Sequence, residues 1–125
     1  MDGNPRSRFM FVQKEMHTDP RGWVLNPFDH LPGAEEGIGR VTDCHAFSIG
    51  PGCRRGGHVH PGRDEQVAVL HGEIVITDTD LGSEEMMSPA RAGLLVIPPG
   101  VPHLFENRGA ETAVALCFSS IPASR

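Results

Sequence analysis

Turn-forming residues break this chain at short intervals. Fifteen glycines and eleven prolines in 125 residues leave little room for a long helix and argue for short strands joined by turns. VTDCHAFSI (41–49) ends at Gly-Pro-Gly and reads as a strand. QVAVL (66–70) and EIVITDT (73–79) flank His71-Gly72, a two-residue connection whose glycine suits a hairpin turn. GLLVI (93–97) runs into Pro98-Pro99-Gly100, and PHLFEN (102–107) and TAVALCFSS (112–120) supply two more strands. Strands recurring roughly every ten residues are the pattern of an all-β sandwich or barrel. Helical signal is thin: DLGSEEMMSPA (80–90) has room for one short turn, and the segment before residue 40 reads mostly as loop. Within it, Trp23, Leu25 and Phe28 offer apolar cover to the barrel or to a partner chain. The expected layout is an N-terminal extension over 1–40, a barrel domain over 41–120 and a short tail over 121–125. No repeat or low-complexity tract interrupts it.

Charge and hydropathy exclude several roles. A net charge of −5 with no basic run argues against nucleic acid as a partner. The longest apolar stretch, AGLLVIPPGV, is broken by Pro98 and Pro99, so no membrane span is expected. The first residues, MDGNPRSRFMFVQK, lack the apolar core of a signal peptide, and the cytoplasm is the expected location. Cys44, Cys53 and Cys117 are odd in number and without CxxC spacing, which in a reducing compartment reads as small buried hydrophobes. Cys53 lies close in sequence to a histidine cluster.

That cluster, GGHVHPGRDEQ (56–66), carries the chemistry. Residues two apart on a strand share a face, so His58 and His60 point the same way if residues 56–60 are extended. After the PGRD turn, Glu65, Val67 and Val69 share a face, and a strand returning beside the first would bring Glu65 to the histidines. His103 and Phe105 share a parity after the Pro-Pro-Gly turn. Three imidazoles and one carboxylate on inward faces make a mixed nitrogen and oxygen site for a divalent transition metal.

The spacing resembles the cupin superfamily, of the single-domain conserved-barrel type. Its first motif, G-x5-HxH-x3/4-E-x6-G, is matched by Gly52, His58, His60, Glu65 and Gly72, and its second by Pro98, Gly100, His103 and Asn107. Gly93 precedes Pro98 by four residues rather than five, which displaces only a turn glycine. The resemblance covers roughly residues 40–120. It implies a double-stranded β-helix, or jelly roll, of two antiparallel sheets. It also implies a homodimer, and one metal ion held by His58, His60, Glu65 and His103. Gly72 would serve a turn and Asn107 a loop or strand end. Manganese, iron, nickel, copper and zinc all suit such a set.

Four histidines fall outside the motif. His71 sits in the expected hairpin turn, and His17 and His30 belong to the first third. His45 shares a strand face with Val41, Phe47 and Ile49, which suits either a satisfied core histidine or a pocket residue that hydrogen-bonds substrate. Arg54 has the parity of the histidines if no bulge intervenes, and is either a surface arginine or one that aims a guanidinium at a substrate carboxylate or phosphate. Phe105 would line the same pocket. A small molecule is thus the expected partner. Three functions fit: a metal-dependent enzyme (oxygenase, isomerase or decarboxylase), a binding module without turnover, and a sugar-nucleotide epimerase or ketoisomerase. DPRGW together with RRGGHVHPGRDEQ resembles the last branch. Its members commonly use a tyrosine acid, a histidine-carboxylate base and no metal. This chain has no tyrosine, so any proton transfer would fall to a histidine.

Overall fold

The computed structural model describes residues 7–27, 40–56, 59 and 61–121. His58, His60, His30 and Phe28 lie outside the described residues. Eleven strands follow in order: β1 (Met10–Gln13), β2 (Met16–Asp19), β3 (Gly22–Leu25), β4 (Arg40–Ile49), β5 (Arg54–Gly56), β6 (Asp64–His71), β7 (Ile74–Asp78), β8 (Glu84–Met87), β9 (Gly93–Ile97), β10 (His103–Glu106) and β11 (Ala113–Ile121). A five-stranded sheet, β1-β9-β6-β11-β4, faces a four-stranded sheet, β5-β10-β7-β8, and β2-β3 form a separate hairpin. Every pairing is antiparallel. The fold is all-β, as the strand spacing led one to expect, and its jelly roll is the one the resemblance implied. Among the described residues no helix is long and apolar enough to cross a membrane.

The core lies between the sheets. Val67, Val69, Leu95, Ile97, Ala115 and Cys117 from the larger sheet meet Ile74, Ile76, Met87 and Phe105 from the smaller one. Each large apolar side chain so buried contributes on the order of 1.5–3 kcal/mol. Alternation is clean on β7, where Ile74, Ile76 and Asp78 are buried and Val75 and Thr77 are half-buried. It fails on β6, whose first six residues are all buried. β6 is central in its sheet, and its outer face, with Ala68 beside Leu94 and Phe118, is covered by Leu25 of β3.

Long-range pairing corrects one local expectation and extends two others. β6 and β7 do not form a hairpin, because β9 and β11 already occupy both edges of β6. The chain instead turns a corner at Gly72 into the other sheet. Gly72 has φ +76°, and a Cβ there would meet the Ala113 Cα at 3.0 Å, so glycine is required twice over. Residues 80–90 hold single turns at either end, one closed by the Gly82 amide donating to the Asp78 carbonyl at 2.7 Å, while β8 between them is drawn into strand form by its ladder with β7. The described part of the first third, residues 7–27, carries three short strands. β1 pairs with β9, a partner some eighty residues away that local sequence cannot announce, and β2-β3 close on the Pro20-Arg21 turn.

Candidate active site

Two strands on facing sheets present the central pair. Glu65 stands on the inner face of β6 in line with Val67 and Val69, and His103 on the inner face of β10 in line with Phe105. β5 pairs with β10 rather than returning beside β6. Glu65 therefore reaches His103 across the gap between sheets, not through a hairpin with the segment before it. His103 Nε2 lies 2.7 Å from Glu65 Oε1, with the two side chains 4% and 10% exposed. On its other side, His103 Nδ1 lies 2.9 Å from the Val101 carbonyl oxygen, which accepts its proton. Burial pulls the imidazole down, but the hydrogen bonds to Glu65 and Val101 and the charges of Glu65 and Asp78 outweigh it. The net effect holds His103 above its ordinary range. Behind the pair, Cys117 Sγ donates to Glu65 Oε2 at 3.5 Å. Burial first, and then the Glu65 carboxylate, push that thiol far above its usual value.

A cavity of about 730 Å³ opens over this pair. Its walls include Phe47 and Phe105, whose ring centroids lie 5.3 Å apart, with His45 beside Phe47 and His103 edge-on to Phe105. His45, Arg54 and Phe105, the pocket residues expected from sequence, all border it. Three further side chains were not foreseen. Arg55 stands opposite Phe105 in the ladder and so shares its inward face, whereas Arg54 stands opposite Glu106. The inward-facing arginine is thus Arg55, its Nε donating to the Ser48 carbonyl at 2.9 Å. Asp43 lies at the mouth with its Oδ2 3.6 Å from His45 Nδ1. Cys117 lies beneath. Strand parity within β4 would have found Asp43, two residues before His45; Arg55 and Cys117 needed the cross-strand register.

The motif glycines and asparagine serve the frame. Gly52, Gly72 and Gly100 all have positive φ. Asn107 is buried and ties three segments: its Nδ2 donates to the carbonyls of Ile49 (2.8 Å) and Glu111 (2.7 Å), and its Oδ1 accepts from the Gly109 amide (2.9 Å). Pro98 accepts from the Val101 amide through its carbonyl, closing the turn ahead of His103. Gly93 is not a turn glycine: it begins β9, where a side chain would collide with Phe11 and the Val12 carbonyl. Cys117 is buried and Cys53, beside the histidine segment in sequence, is exposed; Cys44 is also exposed, which corrects its reading as a buried hydrophobe. His17 and His71 are exposed, each near a carboxylate.

Of the four expected metal ligands, Glu65 and His103 are described. They fit such a role. The Val101 carbonyl fixes the Nδ1 proton of His103, so Nε2 is the nitrogen turned to Glu65, the arrangement by which ligating histidines are commonly oriented. An imidazole nitrogen and a carboxylate oxygen side by side are suitable neighbours on one ion. Among the described residues no group of three or more His, Cys, Asp or Glu is placed to hold a metal.

Residues 45–119 match the Cupin domain family, and the chain belongs to it. Comparison with curated proteins found no match. Among solved structures, the chain is similar to the dTDP-6-deoxy-D-glucose-3,5-epimerase of Legionella pneumophila Philadelphia 1, in complex with dTDP-4-keto-L-rhamnose. The TM-score is 0.74 at 20% identity, covering 98% of this chain and 71% of that one. The dTDP-4-dehydrorhamnose 3,5-epimerase of Bacillus anthracis strain Ames, with TDP and PPi bound, gives 0.71 at 17% identity, over 94% and 74%. The QdtA 3,4-ketoisomerase of Thermoanaerobacterium thermosaccharolyticum, a double mutant in complex with TDP, gives 0.68 at 16%, over 90% and 79%. At these identities the likeness establishes the shared jelly roll.

Proposed function

We propose that the chain is an isomerase of the epimerase or ketoisomerase kind, moving a proton at a carbon beside a carbonyl in a small anionic sugar derivative. The buried Glu65–His103 pair at the base of an open cavity carries this reading. With both ring nitrogens of His103 engaged, Glu65 is the member of the pair assigned to accept a proton from substrate. A protonated His103 keeps Glu65 ionised and fixed in direction. Phe47 and Phe105 offer an apolar surface to the C–H face of a sugar ring, and Arg55 offers a guanidinium group to phosphate. The named activities of the similar structures, two epimerases and a ketoisomerase with thymidine nucleotides bound, agree with this assignment.

The test is proton exchange. With dTDP-4-keto-6-deoxyglucose in D2O, the protein is expected to introduce deuterium beside the carbonyl, and Glu65→Gln to slow this by about 10²–10⁴-fold. Absence of exchange, with TDP still bound, would leave a binding module instead.

A second reading keeps the metal. The orientation of His103 by Val101 favours it. His58, His60, Glu65 and His103 would hold the ion, which when bound would polarise a substrate oxygen. Elemental analysis is then expected to find about one equivalent of transition metal, falling on His58→Ala or Glu65→Ala and on acidification through the imidazole range. Less than about a tenth of an equivalent after reconstitution contradicts it, given the affinities typical of such donor sets.

A further inference from the structure

We infer that Asp43 and His45 form a second proton-transfer pair at the open edge of the cavity, delivering a proton to the substrate carbon from the flank opposite Glu65. This rests on the isomerase reading. The cavity holds two carboxylate–imidazole pairs of contrasting environment. Glu65–His103 is buried, whereas Asp43–His45 is about half exposed, at 56% and 50%. Both pairs border the same space.

The ladder fixes their spacing. Asp43 and Glu65 both stand opposite Ser119 of β11, one on β4 and the other on β6. Two strand spacings separate them, roughly 10 Å at Cα, and both border the cavity. His45 extends from the same face of β4 as Asp43, and its ring borders Phe47 at 6.0 Å between centroids. Asp43 Oδ2 lies 3.6 Å from His45 Nδ1, so Nε2 is the ring nitrogen turned away from that carboxylate. Exposure gives this pair direct contact with water, whereas Glu65 reaches water through the open cavity.

The balanced step runs as two transfers. The Glu65 carboxylate takes the proton from the carbon beside the carbonyl, and the C–H electron pair moves into the carbonyl to give an enolate. The enolate then takes the Nε2 proton of the His45 imidazolium at the same carbon from the other side. The carbon is inverted, Glu65 is protonated and His45 is neutral. Glu65 returns its proton to water and His45 recovers one from water, with no other reactant required.

The experiment separates the two transfers. With dTDP-4-keto-6-deoxyglucose in D2O, deuterium in recovered substrate reports removal and return on one face, whereas epimer formation requires delivery on the other. His45→Gln and Asp43→Asn replace exposed side chains, so folding should be retained. Each is expected to reduce epimer formation by about 10²-fold or more while exchange into recovered substrate stays within about threefold of wild type. Full epimer formation in His45→Gln overturns the assignment. So does loss of exchange matching that of Glu65→Gln, or a raised KM with unchanged kcat. Wild-type protein showing neither exchange nor epimer overturns the isomerase reading and this pair with it, whereas wild-type activity with an indifferent His45→Gln overturns the pair alone.

Discussion

Glu65 is held from two directions, by His103 on one oxygen and by the Cys117 thiol on the other. Both contacts come from strands distant in sequence, and both are shielded from water, where a charge-assisted contact counts for more than at the surface. The thiol suffers from the same placement. Burial and the adjacent carboxylate disfavour its thiolate, and the thiolate is the reactive form. A disulfide reagent is therefore expected to modify two thiols of the native chain, the exposed Cys44 and Cys53, and the third only after unfolding. Three thiols reacting at similar rates in native protein would refute that environment. At this scale the sequence was informative about identity and parity. His103, Glu65 and His45 were selected by their spacing, and all three border the cavity. Arg55 was passed over for Arg54 because alternation was counted along the chain, whereas its facing is set by Phe105 across the ladder.

Elements obey a different logic, since a strand exists only where a partner accepts its hydrogen bonds. β1 shows this clearly. Its four residues pair with Gly93–Val96, and Lys14 extends the ladder by donating to the Ala92 carbonyl at 3.1 Å. The close approach depends on Gly93, where any Cβ would overlap the Phe11 ring and the Val12 carbonyl oxygen. The Phe11 ring also carries the Arg91 guanidinium at 4.3 Å from its centroid, so displacing it loses a second contact. Gly93→Ala is expected to lower stability by about 1–3 kcal/mol. Amide exchange across Met10–Gln13 should accelerate more than in β6. Unchanged protection of β1 would show that β9 yields instead. The β6-to-β7 connection teaches the same point. A glycine between two apolar runs suited a hairpin locally, but both edges of β6 were taken, and the turn became a corner between sheets.

At the scale of the whole molecule, closure of the jelly roll joins the N-terminal segment to the far sheet. Arg8 Nε and Nη2 each lie 2.7 Å from an oxygen of Asp78, a carboxylate with no exposed side-chain surface. The Asp80 and Leu81 amides also donate to Asp78 Oδ1, at 3.0 and 3.1 Å. Arg8, and to a lesser extent these amides, hold the Asp78 carboxyl below its ordinary value, against the effect of burial. The sign follows directly. A carboxyl depressed in the folded state adds stability above its unfolded value, near 3.8, and that contribution is lost as pH falls through the lower folded value. Urea unfolding is expected to show stability declining below about pH 4. Asp78→Asn should be about 1–3 kcal/mol less stable at neutral pH, with a shallower decline in acid. Identical acid slopes in the two proteins would remove Asp78 from this role.

The sequence by itself determined what is local: short strands, their inward and outward faces, the turns at Gly72 and Gly100, and the spacing that singled out Glu65 and His103. Strand alternation and positive-φ turns are properties of neighbouring residues, so they can be read without a fold. Only the tertiary structure decided which strands pair, and with that which sheet each residue serves. It placed Glu65 against His103 across the barrel, turned Arg55 rather than Arg54 inward, and set Asp43 and His45 beyond β11 at the cavity mouth. Ladder hydrogen bonds join residues far apart in sequence, and no local pattern states their register.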